Sequence, residues 1–178
     1  VILPRMRPAL QRRTLEEILD AASDTLRAAG AELAGGHSTM GGETTLGFTV
    51  TGLLDGDPIP LAGARPGDAL ILTRPIGAGT LLAAEMRLKA RGEEIATLLE
   101  TMEAPQGVAA ELLRGAHAMT DVTGFGLAGH LMAICTASGV AAEIDPEAVP
   151  LYPGALRLAE AGVRSTIWAE NRAHAPVT

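Results

Sequence analysis

Ala118-Met119-Thr120-Asp121-Val122-Thr123-Gly124-Phe125-Gly126-Leu127 is the stretch that decides how this chain is to be understood. A short apolar run, Ala116 to Met119, reads as a strand that delivers a carboxylate at its end. Two glycines follow, and then a helical pattern from Leu127 to Ala137 with Gly139 as its stop. Glycines at such a junction let backbone N–H groups approach an anion, and the start of the helix adds a favourable dipole. A carboxylate there suits Mg²⁺ held against phosphate oxygens, because that ion takes few carboxylates and completes its shell with phosphate and water. The competing reading is that Asp121 merely caps the helix, since Asp readily accepts from the first helical amides. Spacing alone leaves both open.

Outward from this segment, two more loops have the composition of anion cradles. In Gly35-Gly36-His37-Ser38 two glycines, an imidazole and a hydroxyl can all donate to a phosphate, although a plain tight turn has the same make-up. Arg74-Pro75-Ile76-Gly77-Ala78-Gly79 follows an apolar run, Ala69 to Thr73, that reads as a strand; a turn with a solvated arginine is the alternative. His130 falls inside a helix beside Leu127 and Leu131, where a packed, hydrogen-bonded histidine is the ordinary outcome, and His117 and His174 have no partners at metal-binding spacing. Cys135 lies mid-helix among apolar neighbours, for which a small buried hydrophobe is the default expectation. The chain has no Walker-type loop, no nucleophile elbow and no His-Glu-x-x-His pattern.

The rest of the chain alternates strands and helices. Thr14 and Glu17 have capping-box spacing ahead of an amphipathic pattern that predicts a helix over 14–29, stopped by Gly30. Leu46, Phe48 and Val50 alternate with Gly47, Thr49 and Thr51, predicting a half-buried strand from Leu46 to Leu54. Further helices are expected at 79–90, 93–103, 106–113 and 154–161, and a strand at 140–144. Pro58, Pro60 and Pro66 with Gly56, Gly63 and Gly67 make 57–67 a linker between a first domain, 1–56, and a second, 68–178. Several helices between neighbouring strands indicate an α/β or α+β architecture rather than a repeat.

Composition narrows the function. The 178 residues are 47% hydrophobic and 20% charged, with a net charge of −7 that argues against sequence-independent nucleic-acid binding. Thirteen of the fourteen basic residues are arginine, and Phe48, Phe125, Tyr152 and Trp168 are the whole aromatic set, too few for base-stacking platforms. No apolar stretch reaches the roughly 18–20 residues that a membrane span needs. The single cysteine excludes an internal disulfide framework and a multi-thiolate metal site. A cytoplasmic protein without nucleic-acid or membrane partners is the expectation.

Taken in order, these loops resemble selenophosphate synthetase (selenide, water dikinase). The resemblance is carried by Gly35-Gly36-His37-Ser38, by Pro66-Gly67-Asp68 through Leu72-Thr73-Arg74-Pro75-Ile76-Gly77, and most specifically by the Asp121 segment with Gly129-His130-Leu131. Ile144-Asp145, Val149-Pro150, Pro153-Gly154 and Asn171 also fit. Relatives of the same architecture, such as aminoimidazole ribonucleotide synthetase and thiamine monophosphate kinase, differ at the Asp121 segment.

The resemblance implies a two-domain, aminoimidazole ribonucleotide synthetase-like architecture, here incomplete at both ends. It implies an enzyme that converts ATP, selenide and water to selenophosphate, AMP and phosphate, acting as a homodimer. Carried over by motif, Asp121 would be a Mg²⁺ ligand, and Gly36, His37 and Ser38 would touch the nucleotide held by the neighbouring subunit. The family's reactive Cys or selenocysteine, its partner Lys and its early Asp ligands have no counterpart here, so no catalytic residue is assigned within this chain and the piece alone is expected to be inactive. Thr39-Met40 stand where the family usually has Ile-Asp, and Arg74 replaces the more usual Lys. Other ATP-using enzymes of the superfamily, or a non-catalytic dimerising or regulatory homologue, are the alternatives.

Overall fold

A proline opens the first helix. In a computed structural model that describes residues 1–175, helix α1 runs Pro8–Ala28, with Pro8 in the first turn and Arg7 as N-cap. The fixed φ of proline is already helical and its missing N–H would have had no partner there. The following Ala9, Leu10, Gln11, Arg12 and Arg13 are good helix formers, so the helix starts a turn and a half ahead of the Thr14–Glu17 pair. Those two residues are therefore interior, not a capping box, and Glu17 instead accepts from Arg13 Nε at 2.7 Å. The C-terminus does end on Gly30, at φ +74°: Ala31 N donates to Leu26 O and Gly30 N to Arg27 O, satisfying two late carbonyls.

Two compact units divide the chain, Val1–Gly56 and a second that starts at Asp57. In the first, strands β1 (Ile2–Pro4) and β2 (Thr39–Gly41) pair in parallel, Ile2 opposite Thr39, with α1 as the crossover. Ile2 also exchanges two backbone hydrogen bonds with Thr45. The predicted strand at 46–54 forms no ladder, and its large side chains lie exposed, Val50 at 79% and Leu53 at 102%. The alternation marks a face that would suit a sheet. A strand also requires a neighbour to pair with, and among the described residues 46–54 pairs with none.

The second unit is a small helical core. Helices α2 (Ala78–Glu85), α3 (Gly92–Glu103) and α6 (Ala155–Glu160) enclose Leu81, Ala83, Ala84, Leu98, Ala155 and Leu158, with Tyr152 and Val163 closing the cluster. Two alanines on α2 let its neighbours pack closely. A parallel bridge joins Ile76 to Leu151, Ile76 N donating to Pro150 O and Tyr152 N to Ile76 O. It brings the residues ahead of α2 beside those ahead of α6. Inside the core, Glu94 is 5% exposed and takes both its oxygens to Arg157 NH2, at 2.8 and 2.9 Å, while Arg91 N donates to Oε2. Gly154, at φ +83°, lies so close to that carboxylate that a Cβ would overlap it.

Helices α4 (Gly107–Leu112), α5 (Gly126–Ser138) and α7 (Trp168–His174) and a 3₁₀ turn, Pro146–Ala148, complete the unit. The expected strands at 69–73, 116–119 and 140–144 carry no ladder, for the same want of a neighbour. Met119 N makes one backbone bond, to Pro60 O. The stretch 57–67 packs on this second unit: Gly63 N and Ala64 N both donate to Ser138 Oγ at 3.1 Å. Helices plus a small parallel pair amount to a mixed α/β fold.

Candidate functional site

The Asp121 loop is built from two sides. Helix α5 carries His130, whose Nε2 accepts from Thr123 N at 3.1 Å and lies 3.1 Å from Thr123 Oγ1. An accepting Nε2 places the ring proton on Nδ1. Helix α7 carries Asn171, whose Nδ2 donates to Gly124 O at 2.7 Å. Gly126 N closes the turn on Thr123 O. Phe125 tilts against the His130 ring, centroids 6.0 Å apart. Gly124 is close enough to Ile167 that a Cβ would stand 3.3 Å from its Cδ1, tight for an ordinary contact. Behind the loop lies a cleft of about 350 Å³, with Phe125, His130, Met132, Glu170, Asn171 and His174 among its walls.

Asp121 is exposed, and among the described residues no hydrogen bond or ion pair reaches its carboxylate; the Thr120 hydroxyl donates to its backbone carbonyl. It is not the helix cap. The N-cap of α5 is Phe125, without a side-chain cap, and Asp121 stands four residues before it, beyond reach of the second and third helical amides. A solvated carboxylate without a hydrogen-bond or ion-pair partner among the described residues leaves its lone pairs open to a ligand. Among the described residues no three His, Cys, Asp or Glu side chains gather as a metal cage. One free carboxylate therefore fits Mg²⁺ of the kind whose remaining ligands are phosphate and water.

Gly36, His37 and Ser38 form one contiguous exposed loop in the first unit, entering β2 directly at Thr39. Asp121 belongs to the second unit. Arg74 is tied down rather than solvated: its NH2 donates to Ala104 O, and the neighbouring Thr73 hydroxyl donates to Gln106. His174 Nδ1 stays local, at 2.8 Å from Glu170 O.

One pair escaped the sequence reading. His117 Nδ1 lies 2.9 and 3.0 Å from the two oxygens of Asp68, and Arg65 N donates to the same carboxylate. The imidazole hydrogen bond first, and the Arg65 amide second, hold the Asp68 carboxyl below its usual range. This clip fixes the residues that lead into Met119-Thr120-Asp121. Forty-nine positions separate the partners, and the available signal was Pro66-Gly67, a turn that presents the next side chain outward.

Over residues 65–164, more than half its length, the chain matches the family described as AIR synthase related protein, C-terminal domain, and it belongs to that family. Within it, the chain is 42% identical over 170 residues to the protein of Nitratidesulfovibrio vulgaris named "Selenide, water dikinase", covering 93% of this chain and 48% of that one. It is 37% identical over 159 residues to the protein of the same name from Caldanaerobacter subterraneus subsp. tengcongensis, 88% and 46% of the two chains. A third of that name, from Dechloromonas aromatica, is 37% identical over 158 residues, 86% and 45%. The chain spans about half the length of the curated relatives it matches. Among the described residues no helix is long and apolar enough to cross a membrane.

Proposed function

We propose that the protein carrying this chain is a selenide, water dikinase: ATP, selenide and water give selenophosphate, AMP and phosphate. The observation that carries the reading is similarity along 93% of the chain to a protein of that name. The Asp121 loop supports it, because it presents an unencumbered carboxylate beside a glycine-containing turn at a helix start. Asp121 would hold Mg²⁺ in part, and the bound ion would neutralise charge on the polyphosphate. Asp121 contributes one anionic ligand, His130 and Asn171 hold its loop, and Gly36, His37 and Ser38 donate to the nucleotide of a neighbouring subunit in a homodimer. Phosphoryl transfer depends chiefly on such positioning and charge stabilisation, with little covalent work for the protein. Composition and charge suit a cytoplasmic enzyme whose ligands are ATP and selenide, without nucleic-acid or membrane partners.

The test is an anaerobic assay of the complete protein with ATP, Mg²⁺ and selenide. Equimolar AMP and phosphate that appear only with selenide, and a phosphorus–selenium resonance in the ³¹P spectrum, are expected. ATP turnover to ADP that ignores selenide would replace this reading with another ATP-using member of the superfamily.

A further inference from the structure

We propose that His130 and Asn171 are positioning residues that set the backbone of Thr123–Gly124 and, through it, the direction in which Asp121 is presented; the proposal rests on the reading of Asp121 as a Mg²⁺ ligand. Two side chains from different helices bond opposite backbone groups of adjacent residues. His130 Nε2 takes the N–H of Thr123, and Asn171 Nδ2 gives to the carbonyl of Gly124. Between them they anchor the two peptides that flank the Thr123–Gly124 bond, two and three residues beyond the carboxylate.

Neither bond is a by-product of helix geometry. Thr123 lies outside α5, and Asn171 reaches across 47 positions from α7. The chemistry also requires these residue types. Thr123 N needs an acceptor at the tip of a side chain long enough to reach it, which an imidazole offers at Nε2, while Gly124 O needs a donor. The loop carbonyls and amides here belong to no ladder. With either side chain removed, the peptide turns toward water and samples several orientations, taking the carboxylate with it. A hard ion that demands near-octahedral geometry feels that spread directly.

The complete protein carrying His130→Leu, His130→Gln or Asn171→Leu tests this with two readouts. Hydrogen exchange of the 120–126 amides, measured without nucleotide, should become about tenfold faster in both Leu variants, the loss of one hydrogen bond's worth of protection. The Mg²⁺ concentration for half-maximal turnover should rise by a similar factor. Glutamine at 130 keeps an acceptor, so His130→Gln should return both toward the parent. If His130→Leu does not fold, Asn171→Leu carries the same test.

Unchanged exchange at Thr123 overturns the proposal. So does equal acceleration at Leu158 and Val163, which marks general destabilisation rather than positioning. A Mg²⁺ requirement moved by Asp121→Asn but not by Asn171→Leu overturns the proposal alone. A requirement that Asp121→Asn leaves unmoved overturns the reading of the site on which it rests.

Discussion

Replacing Arg157 with methionine removes the partner of the buried Glu94 while preserving most of the packing along its stem. The Glu94 side chain is 6% exposed and the Arg157 side chain 45%, so the carboxylate is dry and the guanidinium half wet. Removing one partner of a buried pair costs about 3–5 kcal/mol, chiefly from the charge left behind. Water at Arg157 lowers the pair's worth toward the bottom of that range or just below, about 2–3 kcal/mol. With a urea slope of about 1.5 kcal/mol per molar, the midpoint should fall by about 1.3–2 M. Trp168, the chain's single tryptophan and a residue of the second unit, provides the fluorescence signal.

The pH dependence is the sharper part. The Arg157 hydrogen bond first, and the Arg91 amide second, hold the Glu94 carboxyl below its ordinary 4.5. A depressed carboxyl contributes stability that is present above its unfolded value and is lost as pH falls through its folded value. Methionine at 157 removes the larger of those two causes and leaves burial to push the carboxyl back up. The gap between parent and Arg157→Met should therefore be widest near neutrality and shrink steadily below about pH 4.5. A midpoint gap that stays constant from pH 7 to about pH 3, or one below about 0.3 M at pH 7, would refute the assignment of Glu94–Arg157 as a dry ion pair.

Asp121→Asn should leave the urea midpoint unchanged, since its carboxylate has no hydrogen bond or ion pair among the described residues, yet lower selenide-dependent AMP formation by about a hundredfold, the equivalent of about 3 kcal/mol in charge stabilisation. Gly154→Ala should destabilise the second unit by more than the ~1 kcal/mol of a left-handed alanine, because the new methyl displaces the Glu94 carboxylate; urea unfolding reads it. The 178-residue chain alone should form no AMP from ATP and selenide, since no three His, Cys, Asp or Glu side chains gather as a metal cage among its described residues. It should also self-associate, since Phe48, Val50, Leu53 and Leu54 expose an apolar run, and sedimentation velocity across a concentration series should show a species that grows with concentration.

Several helices were legible from local signals, although the one expected over 79–90 ends at Glu85 and α7 was not foreseen. The apolar spacing and acidic first turn of 93–103, and Gly139 as the stop after 127–137, sit within one or two residues of the observed ends. The start of α1 was misplaced because Thr14 and Glu17 imitate a cap inside a sequence that was already helical from Pro8. Strands fared worse, since alternation reports a face and says nothing of a neighbour to pair with. At the site, the loop itself was visible in its glycines and carboxylate. Its fastenings were not: Asn171 and the Asp68–His117 clip bond across 47 and 49 positions, and no local pattern encodes that.

The bridge between Ile76 and Leu151 has a consequence for how the second unit comes apart. Every buried member of its core cluster comes from 81–98 or from 152–163, and none from the residues between. The bridge seals those two stretches to each other and leaves 104–149, the Asp121 loop included, as an excursion hung on a closed frame. Such an excursion can open as its own cooperative subunit, at a free energy below that of global unfolding. The frame and the loop are then separately adjustable: substitutions between 104 and 149 can alter what the loop binds without drawing on the packing of α2, α3 and α6.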